Sequence, residues 1–292
     1  MAENAPDGST AESVVRKPPP ELRPFVVRYT GYRETGMPPG RHRGLPSPYL
    51  TLIVTLDDPL VLAVRSDGRP GPVRYDALVG GLHTTPALIT HDGSQSGVQL
   101  ALTPLGARAL LGLPAGELAG ADLHLADVAG PLAERLRGRV LEGGGWAGRF
   151  AALDAVLLER LRAESAVPAE VAWVWERLLA TGGVMPVSEL AREVGWSGRY
   201  LSRRFTAEIG LRPKETARVV RFDRARRLLQ RSAASGGGLT LAELAARCGY
   251  YDQAHLAREF GALAGCPPSR WLAEEFRNVQ AMAAVLAEDS QA

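Results

Sequence analysis

Cysteine is nearly absent. Cys248 and Cys266 are the only two in 292 residues. Neither belongs to a Cys-x-x-Cys pair or lies near two histidines, which argues against a zinc site or a disulfide framework and for two small buried thiols. Long apolar runs are missing as well: nowhere do eighteen apolar residues follow one another. The opening MAENAPDGST has neither the basic start nor the apolar core of a secretion signal. These absences predict a cytoplasmic protein with no membrane partner. Histidine is sparse, with His42, His83, His91 and His124 scattered and no His-x-His among them. Gly-x-Ser-x-Gly, P-loop and His-Glu-x-x-His patterns do not occur. No catalytic residue, metal or cofactor is therefore expected.

Excess charge is also lacking, at a formal net of +2, but the distribution is uneven. Between Val187 and Arg231 stand twelve basic residues against five acidic ones, a local +7 that leaves −5 for the rest of the chain. A basic stripe on a near-neutral protein is an electrostatic footprint for phosphate.

What the chain does contain, in the same region, is one unit written twice. VSELAREVGWSGRYLSRRFTAEIGLRP aligns with LAELAARCGYYDQAHLAREFGALAGCPP, with one extra residue in the second turn. Leu190 falls on Leu244, Ala191 on Ala245 and Gly195 on Gly249. Beyond the added residue Leu201 matches Leu256, Arg203 matches Arg258, Phe205 matches Phe260, Gly210 matches Gly265 and Pro213 matches Pro268. Each copy reads as helix, glycine-containing turn and helix, the layout of a helix-turn-helix. Two such units imply a reader of double-stranded DNA. Ser197 and Asp252 are natural N-caps for the second helix of each copy. Leu201 and Phe205, like Leu256 and Phe260, sit four apart and belong in the core. Rotation then turns Gly198, Arg199, Ser202, Arg203 and Thr206 outward in one copy, and Gln253, Ala254, Ala257 and Arg258 in the other. Outward residues at the start of a second helix are those that enter the major groove, where Arg pairs with guanine and Gln with adenine. Between the copies, Pro213 to Arg231 reads as a single helix. Its nineteen residues span about 28 Å at ~1.5 Å each, close to the roughly 34 Å between successive major-groove faces. Arg221, on this helix, would hold DNA without reading sequence if it meets phosphate at all. The SAASGGGL segment that follows reads as a flexible loop, and Thr240 with Glu243 as a capping box.

The paired units, the arginine-rich linking helix ending in ARRLL and the A-x-x-C-G-aromatic…F-x-x-x-x-G-x-x-P run of the second copy resemble the DNA-binding domain of AraC-type transcriptional regulators. The resemblance covers roughly the last hundred residues. It departs at Tyr250-Tyr251 and at Trp271-Leu272, neither on a helix expected in the groove. It implies base contacts by Arg199, Ser202 and Arg203 and by Gln253, Ala254 and Arg258. By our reading of the surface, His255 contacts phosphate, and Arg204 meets phosphate or an internal carboxylate. The partners implied are promoter or operator duplex DNA, a small-molecule effector, a second copy in a homodimer and, for an activator, RNA polymerase.

Upstream the texture changes. Residues 1–20 are small, polar and proline-tipped, and are predicted to be a disordered tail. Short runs at 48–56, 60–65, 76–82, 86–91 and 97–104, rich in β-branched residues and separated by turn-formers, predict strands of a small barrel or sandwich. Helix-forming stretches follow at 105–112, 131–142 and 148–165. The stretch QLALTPLGARALLGLPAGELAGADLHLADVAG resembles the cupin-like sensing half of AraC-type regulators. The fold class expected is therefore α+β: a cupin-like barrel with helices over 21–165, an all-α DNA-binding domain over 166–280, and a tail over 281–292. AESAVP at 163–168 marks the boundary. Trp173 and Trp175, on the next helix, are read as core, and Phe150, Leu153, Val156, Leu157 and Leu161 as a dimer face. Two other functions compete: a DNA-binding regulator whose first half only dimerises or answers to a partner, and a cupin-like metalloenzyme fused to a DNA-binding domain.

Overall fold

A computed structural model describes residues 9–161 and 167–275. The first eight residues, most of the 163–168 boundary and the 281–292 tail lie outside the described residues.

The N-terminal half is built on ten strands: β1 (Thr10–Arg16), β2 (Val26–Thr35), β3 (Gly40–Gly44), β4 (Leu50–Thr55), β5 (Leu60–Val64), β6 (Pro70–Tyr75), β7 (Ala77–Gly80), β8 (Ala87–His91), β9 (Gln95–Leu102) and β10 (Asp122–His124). They form two antiparallel sheets, ordered β1-β2-β9-β4-β7-β10 and β3-β8-β5-β6. No strand pairing among the described residues joins one sheet to the other, so the expected barrel is an open pair of sheets. The edges show why. β6 carries Pro70 and Pro72, which have no N–H to pass a ladder onward, and β10 is three residues long. Beside that edge the connection is made by side chains, with Ser66 donating through its backbone N–H and its hydroxyl to the Asp122 carboxylate at 2.6 and 3.0 Å.

The strands read from sequence correspond to β4, β5, β7, β8 and β9. The predicted disordered tail is corrected by β1, which pairs with β2 from Thr10↔Thr35 to Arg16↔Tyr29. An exposed edge strand can be polar on one face, and TAESVVR has the composition of a tail while making a full ladder.

Four helices follow: α1 (Pro104–Gly106), running into a widened turn over Ala107–Leu111, α2 (Leu125–Ala129), α3 (Pro131–Glu142) and α4 (Gly145–Arg160). Thr103 caps α1, accepting the Gly106 N–H at 3.0 Å. On α4, Phe150, Leu153, Val156 and Leu157 are all within 3% of full burial, and the Phe150 ring stacks on Tyr29 at 5.9 Å. The apolar stripe assigned to a dimer face is thus core of its own domain. The helix lies against α3 and against β2, whose register was not readable from sequence.

The C-terminal half holds α5 (Ala169–Ala180), α6 (Val187–Glu193), α7 (Gly198–Ile209), α8 (Pro213–Ala234), α9 (Leu241–Arg247) and α10 (Gln253–Ala264), then a further helix over 268–275. Trp175 is buried in the core, but Trp173 is 37% exposed, against the reading of both as core. The linking helix α8 has 22 residues, about 33 Å. Val219, Val220, Phe222, Ala225 and Leu229 are buried on it, and so are Thr216, Asp223, Arg226 and Gln230. It is an enclosed axle on which both helix-turn-helix units and the N-terminal sheet pack. Cys248 and Cys266 are both free and buried. No helix is long and apolar enough to cross a membrane.

Candidate DNA-reading surface

Both reading helices start as their sequences require. Ser197 Oγ accepts the Tyr200 N–H at 3.3 Å at the head of α7, and Asp252 Oδ1 accepts the His255 N–H at 2.6 Å at the head of α10. Leu201, Phe205, Leu256 and Phe260 are fully buried. That packing fixes the rotation of each helix. Arg199, Arg203, Arg204, Gln253, Ala254 and Arg258 are exposed, and Ser202 and His255 are half-buried on the same outward side. The structure therefore sets all eight predicted site residues on the two outward faces, four on each helix.

Their electrostatics separate them from Arg218, Arg226 and Arg227 of the linking helix. Among the described residues Arg199, Arg203, Arg204 and Arg258 make no ion pair, and Arg203 lies over the Tyr200 ring at 5.3 Å. Three cations of the linking helix are matched. Arg218 pairs with Glu259 of α10 at 2.7 Å, and Arg226 and Arg227 both hold Asp223, at 2.6 and 2.8 Å. Burial would raise the Asp223 carboxyl, yet Arg226 and Arg227 outweigh it and keep it below the usual range. Arg221, a candidate for phosphate, donates instead to the Gly183 carbonyl and lies over the Tyr250 ring at 5.9 Å. The +7 stretch is thus two populations, one structural and one facing solvent.

The second unit has a defined pose. Phe260 meets Phe222 of α8 edge-on at 4.9 Å, reinforced by the Arg218–Glu259 pair. The glycine-rich loop is tied by Ser232, which donates to the Gly237 carbonyl at 2.9 Å and accepts the Leu239 N–H at 3.3 Å. Thr240 and Glu243 form the capping box, each accepting the other's backbone N–H.

A cavity of about 290 Å³ lies between the two sheets and reaches the linking helix. Arg28, Thr30, Thr51 and Gln99 line it from the larger sheet. Leu60, Leu62 and Ile89 line it from the smaller, with Arg226, Gln230 and Trp271 at its C-terminal side. Burial, with Arg227 and Arg226 nearby, pulls the Arg28 guanidinium down to about 10. Sequence reading missed Arg28 because β2, its strand, carried no recognised alternation. Arg226 was seen only as part of a basic run. Among the described residues no three His, Cys, Asp or Glu side chains gather as a metal-ligand set.

Two capped reading helices set on one enclosed axle define a DNA-binding protein of the double helix-turn-helix class. Residues 190–274 match the family model described as a helix-turn-helix domain, and this domain is of the AraC type. Residues 15–124 match a second model, described as a domain of unknown function. No curated protein matches the chain. Among solved structures it is similar to the C-terminal domain of AraT, a response regulator from Geobacillus stearothermophilus, at 22% identity over 37% of this chain and 86% of that one (TM-score 0.33). It is similar to unsaturated fatty acid bound ToxT from Vibrio cholerae at 10% identity over 94% and 98% (0.47). It is also similar to the DNA-binding domain of AdpA in complex with a target DNA at 26% over 39% and 99% (0.34). Residues 190–274 thus form an AraC-type helix-turn-helix DNA-binding domain.

Proposed function

We propose that this regulator reads two consecutive major-groove segments of an operator with α7 and α10, and that a small ligand in the cavity between the sheets modulates it. Arg199, Ser202 and Arg203, and Gln253, Ala254 and Arg258, reach base edges; Arg204 and His255 hold phosphate. One observation carries the reading. The exposed arginines of the two reading helices lack acidic partners, whereas Arg218, Arg226 and Arg227 of the linking helix have them. Unpaired exposed cations are free to replace the counterions on DNA phosphates.

The ligand reading rests on the cavity's two walls. One offers hydroxyls, an amide and the Arg28 guanidinium, and the other is aliphatic at Leu60, Leu62 and Ile89 with His42 and Arg43 beside them, which suits a small molecule with an anionic end and an apolar body. Arg226 and Gln230 belong to α8, so an occupant touches the helix that carries both reading units. The domains proposed are a ligand-responsive sheet domain up to the 163–168 segment and a DNA-binding domain after it. A homodimer would place two copies on one operator, and an activator would also contact RNA polymerase.

The test is selection of bound duplexes from a random pool by the full chain, followed by titration across salt. A steep fall of affinity with salt and a recovered motif with two elements about one helical turn apart are expected. Affinity that ignores salt, or a pool that yields no motif, overturns the reading.

A further inference from the structure

The two helix-turn-helix units differ by one residue, and the structure shows where it sits. Aligned on their N-caps, Ser197 and Asp252, the units agree through the reading helices: Tyr200 falls on His255, Leu201 on Leu256 and Phe205 on Phe260. The turn aromatics agree too. Trp196 meets Tyr200 edge-on at 4.9 Å, and Tyr250 meets His255 edge-on at 5.4 Å. From Gly195 the first unit reaches its cap through Trp196 alone, whereas from Gly249 the second passes through Tyr250 and Tyr251. The added residue is Tyr251.

Its side chain is 93% exposed, the most exposed large hydrophobic side chain among the described residues, while Tyr250 beside it is 5% exposed. Its backbone is engaged, because the Tyr251 N–H donates to His255 Nδ1 at 3.3 Å. An amide N–H can only donate, so Nδ1 is an acceptor and the neutral ring carries its proton on Nε2. The extra residue thus sets a phenol in solvent immediately before the head of α10 and fixes His255 as a second neutral donor. The first unit has no counterpart to the phenol.

The chemistry of the second reading helix says what such donors would serve. Of its outward residues only Gln253 and Arg258 can discriminate bases strongly, and Ala254 and Ala257 are small. The segment entering the head of a groove-bound helix passes the edge of the groove, where the phosphate chain runs. We propose that Tyr251 grips the DNA backbone beside the second groove segment, its hydroxyl donating to a phosphate oxygen next to the donor of His255. This anchors a unit poor in base contacts without adding charge. The inference rests on the DNA reading above.

The test compares wild-type, Tyr251→Phe and Tyr251→Ala full-length chains on a duplex recovered by selection, across a salt series. A hydrogen bond from a neutral donor to a charged acceptor predicts a loss of about 10-fold or more for either variant. The slope of log affinity against log salt should stay that of wild type, because no counterion-releasing cation is removed. The selected base preference should be unchanged, since a phosphate contact carries no sequence information. The melting temperature should not move, the side chain being almost wholly in solvent. Full affinity in Tyr251→Phe, or a changed base preference in either variant, overturns the proposal. A wild type that binds no duplex would instead remove the DNA reading itself.

Discussion

At Arg203 and Arg221 the same side chain serves opposite ends, and the difference is set by what each can reach. Arg203 is exposed on α7, steadied by the Tyr200 ring and free of carboxylates. Arg221 is half-buried on α8, donating to the Gly183 carbonyl and covering Tyr250. Arg203→Ala should cost about 1–3 kcal/mol of DNA binding and relax preference at one base pair, with the denaturation midpoint unmoved. Arg221→Ala should lower the midpoint and leave base preference intact. Paired selection and denaturant experiments on the two variants check this, and identical specificity profiles would remove Arg203 from the groove. A second residue reports on pH. Burial, with the neighbouring charge of His91, holds His42 at about 4 against its ordinary 6.5. Between those values the unfolded chain takes up a proton that the folded chain refuses, so stability contributed by the neutral ring is full above pH 6.5 and lost as pH falls towards 4. The loss should be of the order of 1–3 kcal/mol. His42→Gln should flatten the difference in unfolding free energy between pH 7 and pH 4.5.

Elements were legible where a local pattern decides them. The second helices of both units, their caps at Ser197 and Asp252 and the capping box at Thr240 follow from side chains that reach only three residues. α3 could be bounded because Pro131 opens it and a Gly143-Gly144 pair follows it. The strands that escaped are those whose exposure comes from neighbours distant in sequence: β1, β3 and β10 at sheet edges, β6 with its prolines, and β2, where Arg28, Thr30 and Tyr32 line the cavity instead of an apolar core. The same limit explains α4. Its stripe was visible, but an amphipathic pattern does not say whether a second copy or the chain's own sheet covers it. Tyr29, Arg16 and the turn at 107–111 do. Leu157→Glu should therefore cost about 3 kcal/mol or more and unfold the N-terminal half. A folded variant with native ellipticity and changed association would return α4 to the surface.

At the scale of the whole molecule, the tail of α7 is anchored while its head is free. Arg108, in the turn after α1, donates through Nε and Nη2 to the Glu208 carboxylate at 2.9–3.1 Å, and Glu208 is 8% exposed. Gly116 lies so close to the Ala207 carbonyl that a Cβ there would overlap it, and Gly210, at φ 101°, ends α7 against Ala115. At the other unit Arg43 of β3 pairs with Glu274 at 2.6 Å in the helix over 268–275. Each reading unit is thus tied to the sheet domain at its back, away from Arg199, Arg203, Gln253 and Arg258. The tie at Gly116 is steric and can be broken from one side. Gly116→Val places its side chain where the backbone of α7 now runs. Backbone cannot yield as a flexible side chain can, so the first unit must withdraw and leave the Glu208 carboxylate without its guanidinium. Small-angle scattering should then show a larger radius of gyration at unchanged helix content. DNA binding by the exposed heads should persist, while any dependence of that binding on a cavity ligand should weaken, because the seam that ties the sheet domain to α7 is open. A scattering profile superimposable on wild type would show that α7 is held by its other contacts and that Gly116 is not what sets its distance.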